Sequence, residues 1–175
     1  MRTLVLGGIR SGKSQWAEQL LTDALSPDQP VTYLATGVVG TDADFAARVA
    51  THRHRRPAHW STVESADVAT ELRRSTTPLL VDDIGGWLVT AMDRQDAWTG
   101  GSVDHDVAEL ASAVEDFTQP LALVSPEVGL TLVPLTDSGR RFSDELGTLN
   151  QRLAAVCDRV VLVVAGQPLT IKELR

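Results

Sequence analysis

Residues 7 to 14 read Gly7-Gly8-Ile9-Arg10-Ser11-Gly12-Lys13-Ser14 and fit the pattern G-x-x-x-x-G-K-[ST]. The apolar run 4–6 before them is typical of a buried strand, and residues 13–25 carry the apolar stripe of a helix. Glycines let backbone N–H groups turn toward a polyphosphate, and the start of the helix adds partial positive charge. In this setting the pattern predicts a phosphate-binding loop, or P-loop, and nucleotide binding by all eight residues.

Three polar side chains supply the chemistry of the predicted loop. Lys13 can reach the β- and γ-phosphates as a catalytic charge, and the Ser14 hydroxyl can bind Mg²⁺. A second Mg²⁺ ligand is expected after another strand, where Asp82 follows the run 79–81 and Asp83 is the next candidate. The alternative interpretation is a glycine turn that happens to end in Lys-Ser, with two acids that only terminate a strand. The coincidence of pattern, strand and helix favours Ser14 and Asp82 as metal ligands.

Length and composition predict one globular domain over residues 1–175, since 43% of the residues are hydrophobic and 22% are charged. The net charge of −7 argues against a nucleic-acid partner, because such binding needs a surplus of Lys and Arg. The single cysteine, Cys157, excludes an intrachain disulfide and is expected in the core. The longest apolar run, 160–165, is too short for a membrane span, and the N-terminus does not resemble a signal peptide. We therefore expect a cytoplasmic protein.

The rest of the sequence alternates short apolar runs with helical stripes. Strands are predicted at 4–6, 31–35, 79–81, 121–124 and, as the last strand, 160–164. Helices are predicted at 13–25, 41–54, 66–74, 87–92, 103–117 and 144–157, with a polar link through Trp60 and Glu64. This alternation indicates an α/β fold with a mostly parallel sheet and helices on both faces. Together with the loop at 7–14, it predicts a P-loop NTPase fold.

Three further motifs are more specific than the P-loop. They are H-x-x-R-R-P-x-x-W at 52–60, Glu-Val-Gly at 127–129 and R-x-F-x-D-x-x-G-x-x-N-Q at 140–151. Together these motifs resemble those of the bifunctional adenosylcobinamide kinase / adenosylcobinamide-phosphate guanylyltransferase family of cobalamin biosynthesis. The resemblance implies phosphorylation of adenosylcobinamide with ATP or GTP, followed by transfer of GMP from GTP to that phosphate and release of pyrophosphate. It also implies a RecA-like core and a homotrimer.

The resemblance places the nucleophile of guanylyl transfer, a histidine that carries GMP, at His52. A neutral imidazole suits this role, since its ordinary pKa is about 6.5. The alternative interpretation is that His52 extends the apolar stripe of the predicted helix 41–54 into the core. The cations that follow are expected to clamp the triphosphate, although they also suit a helix C-terminus. These cations are Arg53, His54, Arg55 and Arg56.

The resemblance also implies that Glu64 contacts the guanosine. A carboxylate can accept two hydrogen bonds from the N1 and N2 edge of guanine, which adenine cannot supply. A solvated surface glutamate is the alternative interpretation. Thr36 and Gly37, after the second strand, are expected to line the same nucleotide pocket. Arg141 and Asp144 are further pocket candidates, with helix capping as the alternative for Asp144.

Two positions differ from the usual pattern of the family that the chain resembles. Pro126 stands where the family has Asn before Glu-Val-Gly, so an amide side chain and a backbone donor are lost. Gly85 stands where the family has Thr, three residues after Asp82, so a hydroxyl is lost. Two other functions fit the P-loop and Asp82 without His52. One is a GTP-binding regulatory module, and the other is a small-molecule kinase without guanylyl transfer.

Overall fold

The computed structural model describes residues 1–36 and 57–174, and within them seven strands form one sheet. The strands are β1 (Arg2–Gly7), β2 (Val31–Ala35), β3 (Trp60–Glu64), β4 (Leu79–Asp82), β5 (Leu121–Pro126), β6 (Arg159–Val164) and β7 (Gln167–Glu173). The described helices are α1 (Lys13–Ala24), α2 (Val68–Arg74), α3 (Ile84–Arg94), α4 (Asp104–Asp116) and α5 (Asp137–Val156). The predicted helix at 41–54 lies outside the described residues.

The sheet has the order β3-β2-β4-β5-β1-β6-β7, and every pairing is parallel except that of β6 with β7. Its two faces support two separate apolar clusters. One contains Ala17 and Leu21 of α1, and the other contains the buried residues of α2, α3, α4 and α5. The predicted α/β fold, with a mostly parallel sheet and helices on both faces, is therefore confirmed. No helix in ranges 1–36 and 57–174 is long and apolar enough to cross a membrane.

The continuous apolar runs were reliable guides to the central strands. β2 has the predicted bounds, whereas β1, β4 and β5 are longer at one or both ends. These strands lie inside the sheet and are packed on both faces, so nearly all of their residues are apolar. Cys157 is also buried as predicted, and burial raises the pKa of its thiol to about 12. A thiol with that pKa stays protonated and unreactive at neutral pH.

The two edge strands were missed. Trp60–Glu64, predicted to be a polar link, is β3, and 160–164 is not the last strand because β7 follows it. Of β3 only Trp60 is buried, and β7 is exposed along almost its whole length. An edge strand with so little burial needs no continuous apolar run, and neither segment has one.

Two helices begin earlier than their apolar residues predict. α5 begins at Asp137 rather than at residue 144, because the Thr136 hydroxyl accepts a hydrogen bond from the Gly139 amide and caps the helix. Capping by Asp144 is therefore wrong, since this residue is exposed within the second turn. α3 begins at Ile84 rather than at residue 87, since Asp83 caps it and its first turn includes Gly85 and Gly86.

Candidate active site

The P-loop joins the end of β1 to the start of α1 in a tight turn. Arg10 and Gly12 have positive φ angles of 57° and 93°, and the Trp16 amide donates to the Gly12 carbonyl to begin the helix. A Cβ on Gly7 would lie 2.4 Å from the Ser11 Oγ and 2.7 Å from the Val163 carbonyl oxygen. Gly7 cannot carry a side chain, because a Cβ would collide with these neighbouring atoms. Gly12 has a left-handed backbone conformation, which favours glycine.

Neighbouring strands hold the P-loop from both sides. The Glu127 amide after β5 donates to the Gly7 carbonyl at 3.0 Å, and the Gly166 amide donates to the Ser11 carbonyl at 2.8 Å. Gly166 lies in the turn between β6 and β7. The Lys13 Nζ lies 3.4 Å from the Gly8 carbonyl oxygen, so the ammonium group is folded over its own loop. This preformed loop places Lys13 and the start of α1 where a polyphosphate can bind.

Asp82 ends β4 at the same edge of the sheet as the P-loop. β5 lies between β4 and β1, so Asp82 and the P-loop are two strands apart. The Tyr33 hydroxyl donates to the Asp82 Oδ2 at 2.5 Å, which orients the carboxylate. The sequence did not identify this role of Tyr33, and its only signal was a tyrosine within a short, mostly apolar strand.

Asp83 is the N-cap of α3 and is partly buried. Its Oδ1 accepts a hydrogen bond of 2.6 Å from the Gly86 amide. Burial and the adjacent Asp82 raise the pKa of this carboxyl, while the Gly86 amide and the charge of Lys13 oppose the rise. The charge of Lys13 in the P-loop therefore acts on a carboxyl at the start of α3.

The structure assigns Thr36 a position next to these acids. Thr36 is buried, its amide donates to the Asp82 carbonyl, and its hydroxyl donates to the Asp83 carbonyl at 2.5 Å. Its hydroxyl therefore stabilises the bend after β4. Gly37 and the predicted catalytic and clamp residues lie outside the described residues; these are His52, Arg53, His54, Arg55 and Arg56.

Glu64 lies far from the P-loop along the same sheet edge. It is the exposed last residue of β3 and pairs in register with Ala35. Four strand spacings separate β3 from β1, which is roughly 19 Å at about 4.8 Å per spacing. The geometry thus divides the predicted nucleotide-binding residues into a P-loop group and a group around the end of β3. The Arg141 guanidinium belongs to neither group and instead donates a hydrogen bond of 3.0 Å to the Gly101 carbonyl.

The acidic residues in the part of the chain that the structure describes suit a metal ion that binds together with a nucleotide. Ranges 1–36 and 57–174 contain no group of three His, Cys, Asp or Glu residues that could hold a metal ion by themselves. Mg²⁺ is usually held by one or two protein oxygens, with phosphate oxygens and water completing its octahedron. The Ser14 hydroxyl and the Asp82 carboxylate are hard oxygen donors of this kind, so they fit the ion.

A P-loop between a strand and a helix, with an aspartate ending another strand of the same parallel sheet, defines a P-loop nucleotide-binding enzyme fold. Solved structures support this class. An ATPase from the type III secretion system of pathogenic bacteria has a TM-score of 0.55 at 14% identity, covering 92% of this chain. The chain spans half the length of that ATPase. A Pyrococcus horikoshii OT3 protein, PH0250, has a TM-score of 0.51 at 11% identity, with coverage of 99% and 87%.

The chain belongs to the family described as cobinamide kinase / cobinamide phosphate guanyltransferase, whose profile matches residues 3–171. It is 39% identical to the bifunctional adenosylcobalamin biosynthesis protein CobP of Pseudomonas aeruginosa, with 98% of both chains covered. It is 37% identical to the corresponding CobU protein of Salmonella typhimurium and 35% identical to that of Escherichia coli K12. These two comparisons cover 98% of this chain and 100% of each relative. The resemblance inferred from the motifs, and with it a kinase and guanylyltransferase of cobalamin biosynthesis, is confirmed.

Proposed function

We propose that this chain performs both reactions of its family, with the P-loop serving phosphoryl transfer and His52 carrying GMP. The observation that carries the proposal is the preformed P-loop, with Lys13 and Asp82 at one sheet edge, in a chain that matches the family over residues 3–171. The substrates are adenosylcobinamide and then its phosphate. ATP or GTP serves the first step and GTP serves the second.

In the phosphoryl step the loop amides and α1 would hold the β- and γ-phosphates. The hydroxyl oxygen of adenosylcobinamide forms a bond to the γ-phosphorus, the bond to the β–γ bridging oxygen breaks, and the hydroxyl proton is released. Lys13 would offset the charge that develops on the transferred group, since a positioned cation in a partly dehydrated site stabilises the transition state. The glycines at 7 and 12 allow the backbone to approach the phosphates closely.

Mg²⁺ is proposed as the companion of the nucleotide in both steps. Ser14 and Asp82 would bind it, and the Tyr33 hydroxyl would keep the Asp82 carboxylate oriented. When bound, the ion neutralises phosphate charge and supports departure of the leaving group. The protein's part is to present two oxygen ligands at the rim of the P-loop.

In the guanylyl step an imidazole nitrogen of His52 would attack the α-phosphorus of GTP. A phosphorus–nitrogen bond forms, the bond to the bridging oxygen breaks, and pyrophosphate leaves. A phosphate oxygen of adenosylcobinamide phosphate then attacks the same phosphorus and releases His52. We propose that Glu64 recognises the guanine and that Thr36 and Gly37 border its pocket. The proposed triphosphate clamp consists of Arg53, His54, Arg55 and Arg56.

We further propose that residues 1–175 form one nucleotide-binding domain that assembles as a homotrimer in the cytoplasm. A three-membered ring is built from heterologous contacts, so each subunit must present two different patches. Two exposed apolar surfaces meet this need. The apolar loop consists of Leu130, Leu132, Val133 and Leu135, and the apolar edge consists of Leu169, Ile171 and Leu174. Exposed apolar surface of this kind is typical of interaction sites.

GTP labelled at the α-phosphate provides the decisive experiment. Incubation with the chain and Mg²⁺ should leave covalent label that is labile in acid and stable in base, as expected for a phosphorus–nitrogen bond. Addition of adenosylcobinamide phosphate should then transfer the label to adenosylcobinamide-GDP. A chain that phosphorylates adenosylcobinamide but never takes up label would be a simple kinase. A chain that only binds GTP would be a regulatory module.

A further inference from the structure

Pro126 and Gly85 meet at the carboxyl ends of the parallel strands, beside the P-loop. Pro126 is the last residue of β5, in register with Gly7 of β1. Gly85 is buried in the first turn of α3. A Cβ on Gly85 would lie 2.9 Å from the Cγ and 3.1 Å from the Cδ of Pro126. The proline ring therefore occupies the space that any side chain at position 85 would need.

Hydrogen bonds hold the proline in place at the end of β5. Its carbonyl accepts a hydrogen bond of 3.0 Å from the Asn150 Nδ2, and the Asn150 Oδ1 accepts one of 2.6 Å from the buried Ser125 hydroxyl. The next residue, Glu127, donates its amide to Gly7. Because these contacts fix the end of β5 against the P-loop strand, the start of α3 must absorb a collision at position 85.

Movement of that turn would carry Asp83 with it. The Asp83 Oδ1 accepts from the Gly86 amide at 2.6 Å and lies 3.3 Å from the Cβ position of Gly85. The charge of Lys13 acts on the Asp83 carboxyl, and Thr36 donates to its carbonyl. The contact between Pro126 and Gly85 therefore sets the position of Asp82 and Asp83 relative to Lys13.

We propose that Pro126 and Gly85 form a matched positioning pair for phosphoryl transfer, in which the absence of a side chain at Gly85 leaves room for the ring of Pro126. The inference rests on the proposed function and deepens it. A side chain at position 85 would collide with the ring at 126, so the effect of a change at one position depends on the residue at the other.

The test is a double-mutant cycle on the full chain, with ATP-dependent phosphorylation of adenosylcobinamide as the assay. Gly85→Ala should lower kcat on the order of tenfold, since small misplacements in an active site have effects of this size, with the KM for ATP changed less than about twofold. Pro126→Ala removes the ring, so adding it to Gly85→Ala should restore kcat to within about twofold of the Pro126→Ala variant. The pair Gly85→Thr and Pro126→Asn should behave in the same way.

Thermal unfolding separates positioning from loss of fold. Alanine has a higher helix propensity than glycine, which offsets strain in Gly85→Ala, so its Tm should stay close to that of the wild type. Gly147→Ala is the matched stability control, because a Cβ at Gly147 of α5 meets no atom within 4 Å.

The proposal is overturned if kcat is unchanged in Gly85→Ala, if the double variant gains nothing, or if a smaller folded fraction explains the loss. A wild-type chain without phosphorylation activity would instead contradict the proposed function. The two failures are distinguishable because the wild type tests the reaction and the variants test the pair.

Discussion

Lys13 is the residue on which phosphoryl transfer should depend most. It is placed at the start of α1, with its ammonium group over the loop. Lys13→Ala removes the charge that faces the β- and γ-phosphates, so the rate should fall on the order of a hundredfold or more. The assay is adenosylcobinamide phosphorylation under saturating ATP. Lys172→Ala, at the other lysine of the chain, should keep the rate per folded molecule; equal losses would contradict the P-loop assignment.

His52 should separate the two activities. Phosphoryl transfer to a hydroxyl needs positioning and Mg²⁺, whereas guanylyl transfer by the proposed route needs a protein nucleophile. His52→Ala should therefore abolish covalent GMP labelling and formation of adenosylcobinamide-GDP while phosphorylation remains measurable.

His54→Ala is the matched control for His52→Ala. On a helix a shift of two residues changes the face, so this variant should still take up label. Label on the His52 variant and none on the His54 variant would place the nucleophile at His54. Label on both would locate it outside this segment.

Glu64 should govern the choice of base in the guanylyl step. Its carboxylate is exposed at the end of β3, roughly 19 Å from the P-loop strand, so the proposed guanine contact lies beyond the P-loop itself. Glu64→Gln leaves one mismatched polar contact, worth about 1–3 kcal/mol, and should weaken GTP more than ATP. Competition binding with both nucleotides measures the effect, with Glu109→Gln on α4 as the control. Equal loss for both nucleotides would indicate a surface glutamate.

At the scale of elements, an ion pair ties the start of β1 to the residue before β6. Arg2 Nη2 lies 2.8 Å from the Asp158 Oδ1, and the Arg2 amide donates to the Oδ2 at 2.7 Å. Hydrogen bonds from Arg2 lower the pKa of Asp158 from 3.8 to about 2. Because the folded pKa is the lower one, this stabilisation is complete above the unfolded pKa and is lost as the pH falls through about 2.

Asp158→Asn should therefore destabilise the fold by about 1 kcal/mol at pH 7, the scale of a solvent-accessible ion pair. The difference in the free energy of unfolding between this variant and the wild type should shrink as the pH falls from 5 to 2. Urea unfolding at pH 7, 4 and 3 measures this trend, with Asp116→Asn at an exposed position as the control. A difference that is independent of pH would show that packing, rather than charge, makes the contribution.

At the scale of the whole molecule, the two exposed apolar surfaces should control assembly. We expect light scattering to give the mass of three copies of the 18.9-kDa chain. Leu132→Asp in the apolar loop and Ile171→Asp in the apolar edge should each yield smaller species, because a charge at an apolar interface is costly to bury. Val89→Asp, at a partly exposed apolar position on α3, should leave the mass unchanged. A monomeric wild type would contradict the trimer.

Local patterns in the sequence were sufficient to predict the P-loop and the central strands of this protein. The P-loop, the buried strands at 31–35 and 79–82, and the family motifs depend on residues that are close together in the chain. A strand packed on both faces must be apolar throughout, and a phosphate-binding turn must have its glycines and lysine at a set spacing. These requirements leave a signal that can be read before any folding is considered.

The tertiary structure decided what depends on distant partners. β3 and β7 exist because neighbouring strands offer backbone hydrogen bonds, and neither segment has the continuous apolar run of a buried strand. The contacts of Tyr33 with Asp82 and of Pro126 with Gly85 each join residues 41 or more positions apart. The separation of Glu64 from the P-loop follows from strand order alone. Such features arise when parallel strands bring remote segments to one edge, which no local periodicity encodes.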